Sequence, residues 1–323
     1  MPGSLVPLTL STWPTPVEPM PRLAAALGLG REDLLVKRDD LTGIAGGGNK
    51  IRKLEWTVAE ALADDADTLV TTGGPQSNHA RLTAAAAARL GLRAVLVFPG
   101  EPPAARSGNL VLDALLGAEI VFTGVQGQQA LTDAAAGVCE RLRSEGARPA
   151  LIPFGGSSML ATRGYATCGE ELMAQVPDLR TAVVALGSGA TMAGLVASLG
   201  PDRTLGVDVG AVEDSRERVA AFAAALSPEV RADDLRVDRD HIGNGYASLT
   251  DTVQEALTLV ARLEGIILDP TYTGRAMAGL IAATRRGEIA PGDRTVFVHT
   301  GGLPGMFGHP DVPAFAERVQ KLA

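Results

Sequence analysis

Short β-branched runs alternate with longer helical stretches along this 323-residue chain. Thr68-Leu69-Val70-Thr71, Ala94-Val95-Leu96-Val97-Phe98 and Glu119-Ile120-Val121-Phe122 read as buried strands, as do Ala182 to Leu186, Leu205 to Val209 and Thr295 to Val298. Between them, His79 to Leu90, Asn109 to Leu116, Gln128 to Ser144 and Leu249 to Leu263 read as helices. Strands spaced by helices pair in parallel, because a parallel neighbour needs a crossover and a helix is its usual form. The expected fold is α/β. Two glycine-rich places, Gly46 to Gly48 and Phe154 to Ser158, bracket about 110 residues. We therefore expect a smaller α/β domain, 48–155, inserted in a larger one made of 1–47 and 156–323. A cleft between two such domains is a usual place for a cofactor.

Composition excludes more than it selects. A net charge of −8 and a pI near 5.1 argue against general nucleic-acid binding. The two cysteines, Cys139 and Cys168, make neither a disulfide framework nor a zinc spacing, and read as small hydrophobes in a reducing compartment. No metal site is expected. The start Met1-Pro2-Gly3-Ser4-Leu5 lacks a basic segment and a long apolar segment, so no signal peptide is evident. No apolar run approaches a membrane span. These features set the expectation of a cytoplasmic protein.

Of 29 basic residues only four are lysines, and one of them, Lys50, follows Gly46-Gly47-Gly48-Asn49 and opens the periodic run Ile51-Arg52-Lys53-Leu54. A primary amine can form a Schiff base and a guanidinium cannot. Glycines let backbone come close to a ligand. From this segment alone, a surface lysine after a glycine turn is an equal reading.

Four further segments each follow a strand or a turn, where open α/β sheets bind ligands. Thr72 to Arg81 contains Ser77-Asn78-His79 at a helix start, suited to a carboxylate or phosphate and equally to an ordinary N-cap. His79 alone reads as a helix-surface histidine. Gly187-Ser188-Gly189-Ala190-Thr191 after strand 182–186 has the form of a phosphate turn. It is not a Walker loop. Met192 stands where a dinucleotide fingerprint needs its third glycine, so a dehydrogenase ranks low even with Asp208 on the next strand. Asp269-Pro270-Thr271-Tyr272-Thr273 offers one of only three tyrosines, for packing or for acid–base work. His299-Thr300-Gly301-Gly302 ends a strand in a hydroxyl and a glycine pair.

Taken together, in this order, the five segments resemble the pyridoxal-phosphate enzymes of the tryptophan-synthase β type. They are most similar to the family of 1-aminocyclopropane-1-carboxylate (ACC) deaminase and D-cysteine desulfhydrase. The resemblance runs from Val36-Lys37-Arg38-Asp39-Asp40-Leu41-Thr42 to Pro304. It implies two open, twisted, mostly parallel sheets flanked by helices, with pyridoxal 5'-phosphate in the cleft between domains. It also implies a homodimer acting on a small amino acid.

By position, the resemblance gives Lys50, after Asn49, the Schiff base. Lys53 and the turn of Gly187, Ser188, Gly189, Ala190 and Thr191 would hold the phosphate. Asn78 would meet the cofactor's phenolic oxygen and Thr300 its pyridine nitrogen. Ser77, with Asn78 and His79, would grip the substrate carboxylate. Tyr246 and Tyr272 would face the substrate. Thr273, where ACC deaminases carry Glu, and Thr300, where they carry Leu, match the desulfhydrase pattern; Thr273 would lie on the substrate side. The implied reaction is α,β-elimination, from D-cysteine to pyruvate, sulfide and ammonia. L-Cysteate sulfo-lyase, ACC deaminase and a catalytically silent binding protein are the alternatives. Pro75, Ala190, Ser158-Met159, Asn244 and Ala247-Ser248 depart from the family pattern and leave the substrate open. Arg81, Arg163 and Arg275 are candidates to meet an extra anionic group.

Overall fold

The computed structural model describes residues 5–321. The chain enters through β1 (Val17–Pro19), α1 (Pro21–Ala26) and β2 (Leu34–Lys37), and then forms α2 (Lys50–Ala63). Four strands follow, β3 (Thr68–Thr72), β4 (Arg93–Phe98), β5 (Glu119–Phe122) and β6 (Pro149–Ile152), separated by α3 (Asn78–Leu90), α4 (Asn109–Leu115) and α5 (Gln128–Ser144). The return runs through α6 (Met159–Gln175), β7 (Thr181–Leu186), α7 (Ala190–Leu199), β8 (Thr204–Asp208), α8 (Ser215–Ala223) and β9 (Arg236–Asp238). It closes with α9 (Asp251–Glu264), α10 (Thr273–Arg285), β10 (Thr295–Val298), α11 (Leu303–Gly308) and α12 (Val312–Lys321).

Two sheets result. One has the order β1-β2-β10-β7-β8-β9 and the other β5-β4-β3-β6. Every pairing is parallel except β1 with β2 at one edge. The central strands β3, β7 and β8 are buried along their whole length, as helices on both faces require. Separate apolar clusters fill the two faces of each sheet.

Helix α2 ties the two sheets together. Ile51, Leu54 and Val58 pack into the cluster around β3 and α3. On its other side, Arg52 reaches Asp39 at 2.8 Å and both carboxylate oxygens of Glu171 in α6, each at 2.8 Å. Lys37 meets the same Glu171 at 2.6 Å, and the Tyr165 hydroxyl donates to Asp39. Lone buried charges are costly, and here each has an opposite partner and added hydrogen bonds. Cys139 and Cys168 are buried free thiols. Among the described residues no helix is long and apolar enough to cross a membrane.

Candidate active site

The carboxyl ends of β3, β7 and β10 and the N-terminus of α2 converge on a cavity of about 1060 Å³. Lys50, Ser77, Asn78, the turn at Gly187 to Gly189, Tyr272 and Thr300 all lie on its wall. Parallel sheets place their loops at this edge, so segments far apart in sequence meet there.

Lys50 is the first residue of α2. The backbone before it threads a narrow gap. Gly47 has φ 66°, and a Cβ there would lie 2.1 Å from the Asp40 carbonyl oxygen. The Asn49 N–H donates to the Thr300 carbonyl at 2.9 Å, which fixes the lysine's helix against the end of β10. The Lys50 amine donates to the Gly155 carbonyl at 3.0 Å. Burial pushes it down to about 8 from the ordinary lysine value of 10.5, so far more of it is neutral and nucleophilic near neutral pH. The Asn49 amide donates to Thr191 at 3.0 Å, joining this loop to the start of α7.

Lys53, one turn further along α2, is fully buried and lies behind the wall. Its amine meets Ser157 Oγ at 3.1 Å, and Ser157 Oγ lies 2.7 Å from Ser188 Oγ. Burial, then the nearby Lys50 charge, holds the Lys53 amine well below the usual range. Its link to the turn at Ser188 runs through Ser157.

The turn itself is open to an anion. Gly189, with φ +104°, caps α7 without a side-chain bond. Among the described residues nothing accepts from the N–H groups of Gly189, Ala190 or Thr191. Unfilled donors at a helix N-terminus, with no side chain in front of them, suit a phosphate.

Of the two roles its sequence allowed, Ser77 takes the cap and keeps a position on the cavity. It is the N-cap of α3, accepting from the Ala80 N–H at 3.1 Å, and it lies on the cavity wall with its own hydroxyl hydrogen free to donate. Asn78 Oδ1 accepts from the Asn109 amide at 3.0 Å and from Arg81 at 3.4 Å, which leaves its NH₂ to face the cavity. His79 is not on the helix surface. It is 2 % exposed and bonded to Thr71 at 2.9 Å, because α3 packs this face onto β3. Burial and the charges of Lys50 and Lys53 hold its imidazole well below the usual value, so it is neutral.

Tyr246 and Tyr272 meet edge to face, with ring centroids 6.0 Å apart and their hydroxyls hydrogen-bonded. Burial and the neighbouring Tyr246 phenol hold Tyr272 well above the usual tyrosine range, so it remains a proton donor. Thr273 does not reach the wall. It is buried, and its hydroxyl donates to the Asp269 carboxylate at 2.7 Å. That carboxylate also takes the N–H groups of Thr271, Tyr272 and Thr273 at 2.9, 2.9 and 2.8 Å. Asp269 thus sets the start of α10 and aims Tyr272. The Thr300 hydroxyl has no partner among the described residues and faces the cavity.

Several functional contacts escaped sequence reasoning. Asp269, Gly155 and Asn109 act through pairings 4, 105 and 31 residues apart. His309 at the rim bonds the Ala247 carbonyl at 2.7 Å, 62 residues away. Only Asp269 carried a local signal, an acid just before a helix start. The three arginine candidates are settled by geometry. Arg81 is spent on the carbonyls of Ala45 and Gly47, and Arg275 on those of Val209, Gly245 and Ser248. Arg163 lies outside, over the Trp56 ring.

A nucleophilic amine, an unfilled phosphate turn, a free amide donor and a free hydroxyl on one cavity fit pyridoxal 5'-phosphate. A family model described as "Pyridoxal-phosphate dependent enzyme" matches residues 8–301. A Pyrococcus abyssi (strain GE5 / Orsay) protein, whose name assigns it provisionally to 1-aminocyclopropane-1-carboxylate deaminase, is 40% identical over 93% of this chain and 92% of its own. A Salmonella typhi protein named "D-cysteine desulfhydrase" is 40% identical over 93% of this chain and 95% of its own. A crystal structure described as an ACC deaminase homologue superposes with a TM-score of 0.87 and 35% identity, covering 96% of both chains. The chain belongs to the pyridoxal-phosphate dependent enzymes, in the group that joins ACC deaminases and D-cysteine desulfhydrases, and pyridoxal 5'-phosphate is its cofactor.

Proposed function

We propose that this enzyme catalyses α,β-elimination on a small amino acid, converting D-cysteine and water to pyruvate, hydrogen sulfide and ammonia. The observation that carries the reading is the charge of the cavity wall. Among the described residues Lys50 is its one lysine or arginine, and Arg81 and Arg275 are committed to backbone carbonyls. A substrate with a second anionic group, such as a sulfonate, finds no free cation there, whereas a thiol needs none. The place where the family's ring-opening members carry Glu holds Thr273, whose hydroxyl is bound to Asp269.

The cofactor, when bound, supplies an electron sink for charge developing at the substrate α-carbon. The protein supplies position and proton transfer. The Ser77 hydroxyl and the N–H groups at the start of α3 take the substrate carboxylate. Lys50, with its lowered basicity, takes the α-proton. The Tyr246–Tyr272 pair stands on the substrate side as the proton source for the departing sulfur. His79, neutral and buried, adds no competing charge.

The test is product formation by the cofactor-loaded enzyme from D-cysteine, L-cysteine, L-cysteate, β-chloro-D-alanine and ACC. Pyruvate from D-cysteine and β-chloro-D-alanine, lost in Lys50→Ala, is the expected result. Pyruvate from L-cysteate alone would replace the substrate. Ammonia and 2-oxobutyrate from ACC alone would replace the reaction, and no product from any of the five would leave a binding protein.

A further inference from the structure

The turn at Gly187 to Thr191 is held from behind by a residue outside the cavity. Arg218, on α8, donates its Nε–H to the Ser188 carbonyl at 2.9 Å. Its guanidinium lies 5.2 Å from the Phe222 ring centroid, and a Cβ on Gly189 would touch both Phe222 and Arg218 at 3.4–3.5 Å. The Ser188–Gly189 peptide is trans. In a planar trans peptide the C=O and the following N–H point in opposite directions. An Arg218 bond that draws the Ser188 carbonyl outward therefore turns the Gly189 N–H inward, toward the unfilled donors of α7. The inward side of the turn is fixed separately, by the Ser188–Ser157 hydroxyl contact at 2.7 Å.

Arg218 also brings charge. No carboxylate pairs with it among the described residues, so its positive charge is not cancelled locally. That charge reaches Lys53, whose amine is depressed by burial, by Lys50 and by Arg218. Arg218 thus stands behind the turn on the α8 side, and neither it nor Lys53 lines the cavity.

We propose that Arg218 is a positioning residue for the cofactor phosphate, acting through the Ser188 carbonyl to present the Gly189 N–H and adding a positive charge behind the turn. The inference rests on the reading that this turn holds the phosphate. A residue acting in this way affects ligands that carry the phosphate and leaves the same ring without it untouched.

Apoenzyme is titrated with pyridoxal 5'-phosphate and, separately, with pyridoxal, following the absorbance of the lysine adduct. Arg218→Ala is expected to weaken pyridoxal 5'-phosphate about tenfold, the scale of a lost charge-assisted hydrogen bond, and to leave pyridoxal within twofold. Arg218→Lys, which keeps the charge, is expected to fall between wild type and Arg218→Ala; it carries the test if Arg218→Ala does not fold. Equal weakening of both ligands, or of neither, would overturn the proposal. Thr191→Val, within the turn, separates the two levels. If it lowers the preference for the phosphorylated ligand while the Arg218 variants do not, the role of Arg218 alone falls. If no variant changes that preference, the phosphate reading of the turn falls with it.

Discussion

The two walls of the cavity are built differently. The wall assigned to the cofactor comes from strand ends and helix starts: Lys50 at the head of α2, the turn before α7, and Thr300 after β10. Its parts brace one another through Asn49–Thr300 and Asn49–Thr191. The facing wall hangs on residues 239–250, which hold no helix or strand, and Tyr246 there is 52 % exposed. That stretch is held by Arg275 to its carbonyls, by the Tyr246–Tyr272 hydroxyl contact and by the His309–Ala247 bond at the rim. The difference separates two tasks. On the proposed reading, regular elements hold the cofactor and a loop braced by a few polar contacts faces the substrate.

The contrast can be broken at several points. Lys50→Ala should lower turnover of every substrate by at least about a thousandfold and abolish the lysine-adduct absorbance. Gly47→Ala, which sets a Cβ against the Asp40 carbonyl at a positive φ, should cost about 3 kcal/mol, read as a lower denaturation midpoint with weaker cofactor retention. On the other wall, Tyr272→Phe should lower kcat about 10- to 100-fold while cofactor affinity stays within twofold. If Tyr272→Phe released the cofactor, the division of labour would be wrong. The lysine offers a graded test. Its amine is lowered to about 8, and only the neutral form attacks an aldehyde. The rate of cofactor capture by apoenzyme should rise about tenfold per pH unit below 8 and level off above it, whereas an unshifted lysine would keep climbing to about 10.5. The smallest effect belongs to the loop. Ala247 sits at φ 64°, so Ala247→Gly should stabilise the protein by up to about 1 kcal/mol without changing cofactor affinity.

How much of this could be read from the chain follows the same division. Strands 119–122 and 295–298 and the helix from Gln128 to Ser144 lie where local pattern put them. Pattern missed β1, β2, β6 and β9, which are three or four residues long and carry too little periodicity to stand out. Motif order brought Lys50, Ser77, Asn78, Gly187 and Thr300 to one cavity, since strand-end loops share an edge. It misjudged depth. Nothing local distinguishes a histidine on a surface helix from His79, packed against β3. Nothing in the Tyr272-Thr273 pair reveals that Asp269 turns one side chain outward and consumes the other. Depth and direction arise from contacts made far along the chain, as with Asn109 on Asn78 and Gly155 on Lys50.

The rim latch has a kinetic consequence. One hydrogen bond, from the His309 ring to the Ala247 carbonyl, is worth about 1 kcal/mol net. That bond stands open roughly a tenth of the time or more, while Arg275 still holds the loop at Gly245 and Ser248. Small molecules can then enter and leave on the timescale of loop motion while the lysine and the turn stay put. Turnover would be paced by the bond-breaking at the α-carbon, and a deuterium at that carbon would slow it.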